Sequence, residues 1–103
     1  MAHTHYEFTN MVLVDTVETV YTGENKLTIQ MIIVQFDDQE DTYTLTDDIS
    51  ATTSDTTDDI LISVRAPFDW WTTIIDWSAK PRHVHGLACT VCSGSTVGYV
   101  YFA

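Results

Sequence analysis

The sequence KLTIQMIIVQF, at residues 26–36, decides the fold class of this chain. Apolar side chains occupy every second position from Leu27 to Ile33, which is the period of a β-strand. The alternation then fails, because residues 31–34 (MIIV) are all apolar. A strand that is apolar on both faces is buried on both sides. We therefore expect it either at the centre of the domain or against another subunit.

The segment before this strand predicts its hairpin partner. Residues 11–21 are rich in Val and Thr, which favour strands. The turn-forming residues TGEN, at 22–25, lead from this segment into residues 26–36. The sequence thus predicts an N-terminal β-hairpin with its turn at 22–25.

Two later segments, 42–46 and 60–65, alternate between apolar and polar residues and predict strands. In the second of them, Ile60, Ile62 and Val64 are expected to point inward. The residues between the two segments are rich in Asp, Ser and Thr, which predicts a solvated loop.

Residues 68–77 fit either a strand or a short helix. Pro67 suits the first position of a helix, but the Trp, Thr and Ile that follow prefer strands, and we favour a strand. Residues 83–92 and 96–102 predict a C-terminal hairpin. The chain, residues 1–103, is therefore expected to be a single all-β domain, a small antiparallel sandwich or barrel of about seven short strands.

The charge of the chain restricts its partners. Asp and Glu number 15 and Lys and Arg number 4, so the net charge is −11. Nucleic-acid binding is close to excluded, because its affinity depends on Lys and Arg, and anionic membranes are disfavoured. No apolar run approaches the ~20 residues of a membrane helix, and the first residues lack the pattern of a signal peptide. We expect no membrane insertion and only loosely bound cations.

The composition also indicates the salt concentration in which the protein works. The chain has 11 Asp, 17 Thr and only 2 Lys, a bias that resembles proteins of extreme halophiles. In molar salt the Debye length is about 3 Å, so a surface of like charges repels itself little. The alternative is a mesophilic acidic domain that binds a basic partner.

One cluster has spacing typical of a metal site: His83, His85, Cys89 and Cys92 supply two imidazoles and two thiols, the set that tetrahedral zinc accepts. However, residues three apart on a regular strand face opposite sides, so the two Cys converge only across a bulge or turn. We expect no zinc and no cofactor. A redox dithiol, a local disulfide and two packed thiols are the other possibilities, and packed thiols are favoured.

The acidic clusters are candidates for Ca²⁺, which prefers convergent oxygen ligands. No EF-hand spacing is present, and a solvated surface that holds monovalent cations loosely is favoured. The candidate ligands are Asp37, Asp38, Glu40 and Asp41, or Asp55, Asp58 and Asp59.

No enzyme motif is present: the chain has no Gly-x-Ser-x-Gly, no phosphate-binding loop and no glycine-rich dinucleotide turn. We therefore expect no catalytic residues and no enzymatic activity.

Aromatic residues are the candidates for an interface. Three Trp are many for a chain of this length, and they can anchor an interface, fill the core or stack on sugars. The C-terminal residues 98–103 are apolar to the end, which predicts that they are docked in the core or in a neighbour. The residues expected in an interface are Trp70, Trp71, Trp77, Tyr99, Tyr101 and Phe102.

By composition and type, the whole chain resembles small capsid-decorating and other virion proteins of viruses that infect halophilic archaea. No family motif carries this resemblance. It implies a structural protein, located in the virion, that associates with itself or with other shell proteins. The alternatives are a small zinc-binding interaction domain that uses the His-x-His and Cys-x-x-Cys residues, and a Trp-based module that binds a surface or a sugar.

Overall fold

The structure is a computed structural model that describes residues 5–6, 9–47 and 60–103. Every regular element in these residues is a β-strand. In chain order the strands are β1 (His5–Tyr6), β2 (Thr9–Val14), β3 (Glu18–Gln35), β4 (Thr42–Thr46), β5 (Ile60–Arg65), β6 (Thr72–Asp76), β7 (Arg82–Cys92) and β8 (Val97–Phe102).

All pairs of neighbouring strands are antiparallel, and the expected all-β class is confirmed. The strand order is β1-β2-β8-β3-β7-β4-β5, and β6 also pairs with β3. The described strands therefore form one open sheet, and neither a sandwich of two separate sheets nor a closed barrel is confirmed.

The long strand β3 shapes the molecule. A straight strand of its 18 residues would be about 60 Å long, yet the longest dimension of the molecule is 37 Å. Its first half pairs with β7 and its second half with β8 and β6. The pairing with β7 is interrupted between Thr22 and Leu27. We infer that β3 bends between Thr22 and Leu27, so that the sheet folds over on itself. We call this end of the molecule the bend end.

A bulge explains why residues 26–36 are apolar on both faces. Opposite β8, Ile29 pairs with Phe102 and Met31 with Tyr101, which leaves one extra residue in β3. A bulge exchanges the two faces of the strand beyond it. Accordingly Ile29 is fully buried before the bulge and Ile32 after it, whereas Met31 is half-buried on the other face.

The predicted N-terminal hairpin is wrong. Residues 22–25 lie inside β3 and do not turn the chain back. The predicted strand 11–21 is divided, because β2 ends at Val14 and β3 begins at Glu18. Both strands pair with β8, which lies between them.

The predicted C-terminal hairpin is also wrong in its pairing, although its two strands exist. β3 lies between β7 and β8, so the turn at 93–96 connects strands that are not neighbours. β3 separates β7 from β8 because it pairs with β7 along one edge and with β8 along the other.

The predictions for residues 42–46 and 60–65 are confirmed as strands. Ile60, however, does not point inward and is 48% exposed. A register shift opposite Leu45 and Thr46 leaves Leu61 as the extra residue of β5, and Leu61 packs against the core instead. In the segment 68–77, strand is correct for β6 and wrong for the residues before Thr72.

The loops 36–41, 66–71 and 93–96 gather at one end, which we call the loop end. There Gln35, at the end of β3, pairs with Thr72 and Val97, the first residues of β6 and β8. Thr42, at the start of β4, pairs with Arg65, the last residue of β5. The loop end thus lies opposite the bend end.

Candidate interaction surface

The loop at residues 66–71 is held rigidly against the loop at 36–41. The backbone N–H of Trp70 donates to the carbonyl of Asp37 at 3.0 Å, and the N–H of Phe36 donates to the carbonyl of Trp71 at 2.8 Å. On the other side, the N–H of Glu40 donates to the carbonyl of Ala66 at 2.8 Å. These bonds fix the path of the loop at both of its ends.

This rigid loop presents three aromatic side chains to solvent, and we call Phe68, Trp70 and Trp71 the aromatic tip. They are 63%, 80% and 38% exposed, respectively. The rings of Phe68 and Trp71 are tilted against each other with centroids 5.9 Å apart. The indole Nε1 of Trp71 donates to Thr73 Oγ1 at 3.0 Å. The tip therefore has a defined shape.

The backbone at the tip is strained. Trp70 has φ = 56° and Glu40, in the adjoining loop, has φ = 71°. A residue other than glycine in this region costs of order 1–3 kcal/mol, and such strain is found mainly at functional sites. Here the hydrogen bonds between the loops maintain the conformation, and its effect is to place the Trp70 indole in solvent.

The surroundings of the tip are acidic. Asp38 and Asp69 are exposed, and Asp69 accepts a hydrogen bond at Oδ1 from the Gln39 N–H at 2.7 Å. The guanidinium of Arg65 lies 3.1 Å from the Glu40 carboxylate, and both side chains are exposed. The tip is thus an apolar projection surrounded mostly by carboxylates.

A second apolar surface lies on the outer face of β2, β8, β3 and β6. Residues paired across antiparallel strands lie on the same face, and the pairs Leu13–Tyr99, Tyr99–Ile33 and Ile33–Ile74 continue across the four strands. We call these four residues the outer apolar row. Ile74 is 62% exposed, and the other three are half-buried.

The next row on the same face consists of Met11, Tyr101, Met31 and Asp76. Asp76 is the one charged residue in the two rows together. Tyr99 and Tyr101, expected in an interface, thus lie on this apolar and almost uncharged face.

The structure separates Trp77 and Phe102 from these surfaces. Trp77 is half-buried and packs against the core, and the guanidinium of Arg82 lies 4.9 Å from its ring centroid. Phe102 also packs partly against the core. Of the six expected interface residues, the structure therefore exposes Trp70 most.

The candidate zinc ligands are divided between solvent and core. His83 and His85 are exposed, and His83 Nδ1 lies 2.9 Å from the hydroxyl of Thr28. Cys89 is fully buried and Cys92 is half-buried; both thiols are free. The imidazoles thus lie apart from the thiols.

The expectation that Cys89 and Cys92 face opposite sides is wrong. Leu45 pairs with Cys89 and Thr44 with Val91, so Thr90 is an extra residue in β7. This bulge turns both thiols toward the core, where they interact with each other. The Cys92 thiol donates to the carbonyl of Thr96 at 3.2 Å.

Burial makes these thiols poor nucleophiles and poor metal ligands. Burial, followed by the neighbouring Cys92, raises the pKa of the Cys89 thiol to about 12. Burial also raises the pKa of Cys92, and the carboxylate of Asp15 adds to this effect. Because the thiolate is the reactive and metal-binding form, both side chains act as packed apolar groups.

Within residues 5–6, 9–47 and 60–103, no three His, Cys, Asp or Glu side chains are grouped so as to hold a metal ion. This includes the acidic turn with Asp37, Asp38, Glu40 and Asp41. The other candidate Ca²⁺ ligands, Asp55, Asp58 and Asp59, lie outside the described residues.

Comparison of the chain with protein-family models, curated proteins and solved structures found no match. In the part of the chain that the structure describes, no helix is long and apolar enough to cross a membrane. The candidate site therefore stands on geometry alone.

Proposed function

We propose that this chain is a non-enzymatic structural protein that associates with itself or with other shell proteins, as a capsid or capsid-decorating component of a virion adapted to high salt. The observation that carries the proposal is Trp70, which is 80% exposed on a backbone fixed by hydrogen bonds. Aromatic residues on rigid elements are typical anchors of protein interfaces.

The outer apolar row supports the same proposal. Contiguous exposed apolar surface marks interaction sites in soluble proteins. Two chains with a net charge of −11 repel each other, and they can approach most easily through faces that carry few carboxylates. The two rows on the outer face of β2, β8, β3 and β6 carry one carboxylate, that of Asp76.

High salt favours such an assembly. Salt screens the repulsion between acidic subunits and leaves apolar contacts intact or strengthens them. An acidic composition that resembles halophilic proteins is therefore compatible with apolar association surfaces in one molecule. The copies are expected to bury at least roughly 1,000 Å² on association.

Size-exclusion chromatography with light scattering tests the proposal. The chain is expected to have a mass of several times 11.6 kDa in molar KCl, and to dissociate at least partly in dilute salt. A monomer at all salt and protein concentrations would overturn the proposal for self-association, and a search for a separate shell partner would then have to replace it.

A second candidate function is a Trp-based module that binds a sugar or a surface. The exposed indole of Trp70 beside Phe68 favours it, because aromatic rings stack on the apolar faces of sugars. Titration with soluble oligosaccharides, followed by tryptophan fluorescence, tests it. A saturable change that is lost in Trp70→Ala would support sugar binding, and no change would exclude it for the sugars used.

A further inference from the structure

An apolar pocket of about 260 Å³ lies at the bend end. Val12 and Phe102, from β2 and β8, form one side of it, and residues from the first half of β3 form the other. Its lining is Val12, Val20, Tyr21, Leu27 and Phe102. The pocket is therefore located where the two halves of the folded sheet separate, and almost all of its surface is apolar.

The pocket and the aromatic tip lie at opposite ends of the molecule. The tip is bonded to Phe36, just beyond the end of β3, whereas Leu27 lies at the bend. The strand between them would be about 30 Å long if straight, in a molecule 37 Å long. The tip of one copy therefore cannot reach the pocket of the same copy.

The two ends of the molecule differ in charge. Arg65 at the loop end is paired with Glu40. The other three basic residues lie toward the bend end: Lys26 is next to Leu27, Arg82 pairs with Ile29, and Lys80 lies in the turn between β6 and β7. Glu24, Asp47 and Asp76 also lie in that half of the molecule, so acidic and basic residues are balanced there. The tip, in contrast, is surrounded by Asp37, Asp38, Glu40 and Asp69.

We propose that the aromatic tip of one copy inserts Trp70 into the bend pocket of a second copy. This inference rests on the proposed function and specifies the contact through which the copies associate. The pocket is large enough for one indole ring, and the acidic residues beside Trp70 would approach Lys26, Lys80 and Arg82 of the neighbour. Such a contact joins different surfaces of the two copies, so repetition gives a ring or a filament.

The sequence itself argues for a second copy as the occupant. The same chain carries both the projecting ring and an apolar pocket of matching size, and three of its four Lys and Arg residues lie on the pocket side. A partner with a different fold would have to supply an exposed aromatic ring surrounded by carboxylates, which this chain already has.

Two variants that each remove one half of the contact provide the test. Trp70→Ala removes the projecting ring and leaves the pocket intact. Val20→Phe fills the pocket and leaves the tip intact. Ile60, which is exposed outside both surfaces, supplies matched controls as Ile60→Ala and Ile60→Phe. Light scattering in molar KCl measures the mass, and circular dichroism checks that each variant is folded.

Each of the two variants alone is expected to associate at least roughly 30-fold more weakly than the unchanged chain, as for an interface hot spot. Both Ile60 variants should assemble normally. Mixing Trp70→Ala with Val20→Phe should restore one contact per pair and give a 1:1 dimer that grows no further. A face-to-face symmetric contact would not produce this result.

The outcomes separate the two proposals. If the unchanged chain is monomeric in all conditions, both the proposed self-association and this contact fail. If the unchanged chain assembles and folded Trp70→Ala assembles equally well, the contact fails and the proposal of self-association stands. If the two variants are each monomeric and their mixture stays monomeric, the pairing of tip and pocket is wrong.

Discussion

The hydroxyl of Tyr43 in β4 donates a hydrogen bond of 2.9 Å to the backbone carbonyl of Val14 in β2. These strands are far apart in the sheet order, so the bond spans the interior of the folded sheet. Both residues are fully buried. The bond therefore satisfies two buried polar groups and fixes how the two halves of the sheet pack.

Loss of this hydroxyl should destabilise the fold. Tyr43→Phe keeps the ring but leaves the Val14 carbonyl without this donor, and an unsatisfied buried group costs about 1–3 kcal/mol. Urea unfolding of the Trp70→Ala background, which is expected to be monomeric, measures the change. A loss of stability no greater than that of an exposed substitution would contradict this role of Tyr43.

Gly98 in β8 is expected to couple to the same hydroxyl. A Cβ at this position would clash with the Tyr43 hydroxyl and ring, and overpacking of this kind costs typically about 1–3 kcal/mol. Gly98→Ala should therefore be destabilising, and less so when Tyr43 is already Phe, because part of the clash is then absent. Strictly additive free energies of unfolding in the double-mutant cycle would refute this contact.

The sequence predicted the class of the fold and most of its strands, but not how they pair. Alternation identified β4 and β5 because their polar and apolar residues follow the strand period. It failed at β3, where the bulge between Ile29 and Met31 exchanges the faces, and at β7, where Thr90 does the same. Bulges have no reliable pattern in a single sequence, and a long bent strand gives the same pattern as two strands.

Alkaline pH should destabilise the protein through its buried Cys89 thiol. Burial raises the pKa of Cys89 in the folded state to about 12, and burial also raises the pKa of Tyr43. In the unfolded chain the thiol ionises near pH ~8.5, so above that pH the unfolded state binds fewer protons. The stability contributed by the neutral thiol is fully present below that pH and is lost as the pH rises toward about 12.

Urea unfolding between about pH 8 and about pH 11 measures this loss. In Cys89→Ala the slope of stability against pH should be smaller, although the variant is less stable at neutral pH because of the cavity. An equal slope in both proteins would mean that Cys89 does not contribute to the alkaline transition.

The strained backbone of Trp70 leads us to expect two variants that differ in stability to unfolding but not in assembly. A residue with a side chain costs roughly 1–2 kcal/mol in the left-handed region, and glycine avoids this penalty. Trp70→Gly should therefore be about 1 kcal/mol more stable to unfolding than Trp70→Ala, after the greater flexibility of unfolded glycine is subtracted. Both should lose assembly equally. A Trp70→Gly variant less stable than Trp70→Ala would show that the strain at this position is absent.

The sequence also identified part of the candidate site. It singled out the Trp residues because three are many for a chain of this length, and the C-terminal aromatics because the chain is apolar to its last residue. It did not distinguish Trp70 from Trp77, since exposure depends on the hydrogen bonds between two loops distant in sequence. The bend pocket gave no signal either, because its lining residues come from three strands and each is an ordinary strand residue.

The stability of the monomer should depend strongly on salt. The net charge is −11, and the ion pair found in the described residues joins exposed Arg65 and Glu40, a type worth about 0–1 kcal/mol. Self-repulsion should therefore lower the melting temperature in dilute buffer, and the melting temperature of Trp70→Ala should rise from about 0.1 M to about 2 M KCl.

A variant with Asp37, Asp38 and Asp69 changed to Asn is the matched comparison in the same background. It should melt higher in dilute buffer and gain less from salt. A melting temperature that is flat or falls as KCl increases would remove the argument for adaptation to high salt.

The most direct test of the central claim is the mass of the unchanged chain and of Trp70→Ala, measured side by side by light scattering in about 2 M KCl. We expect an assembly several times larger than 11.6 kDa for the unchanged chain and mostly monomer for Trp70→Ala. A mass of 11.6 kDa for both proteins at every concentration would contradict it.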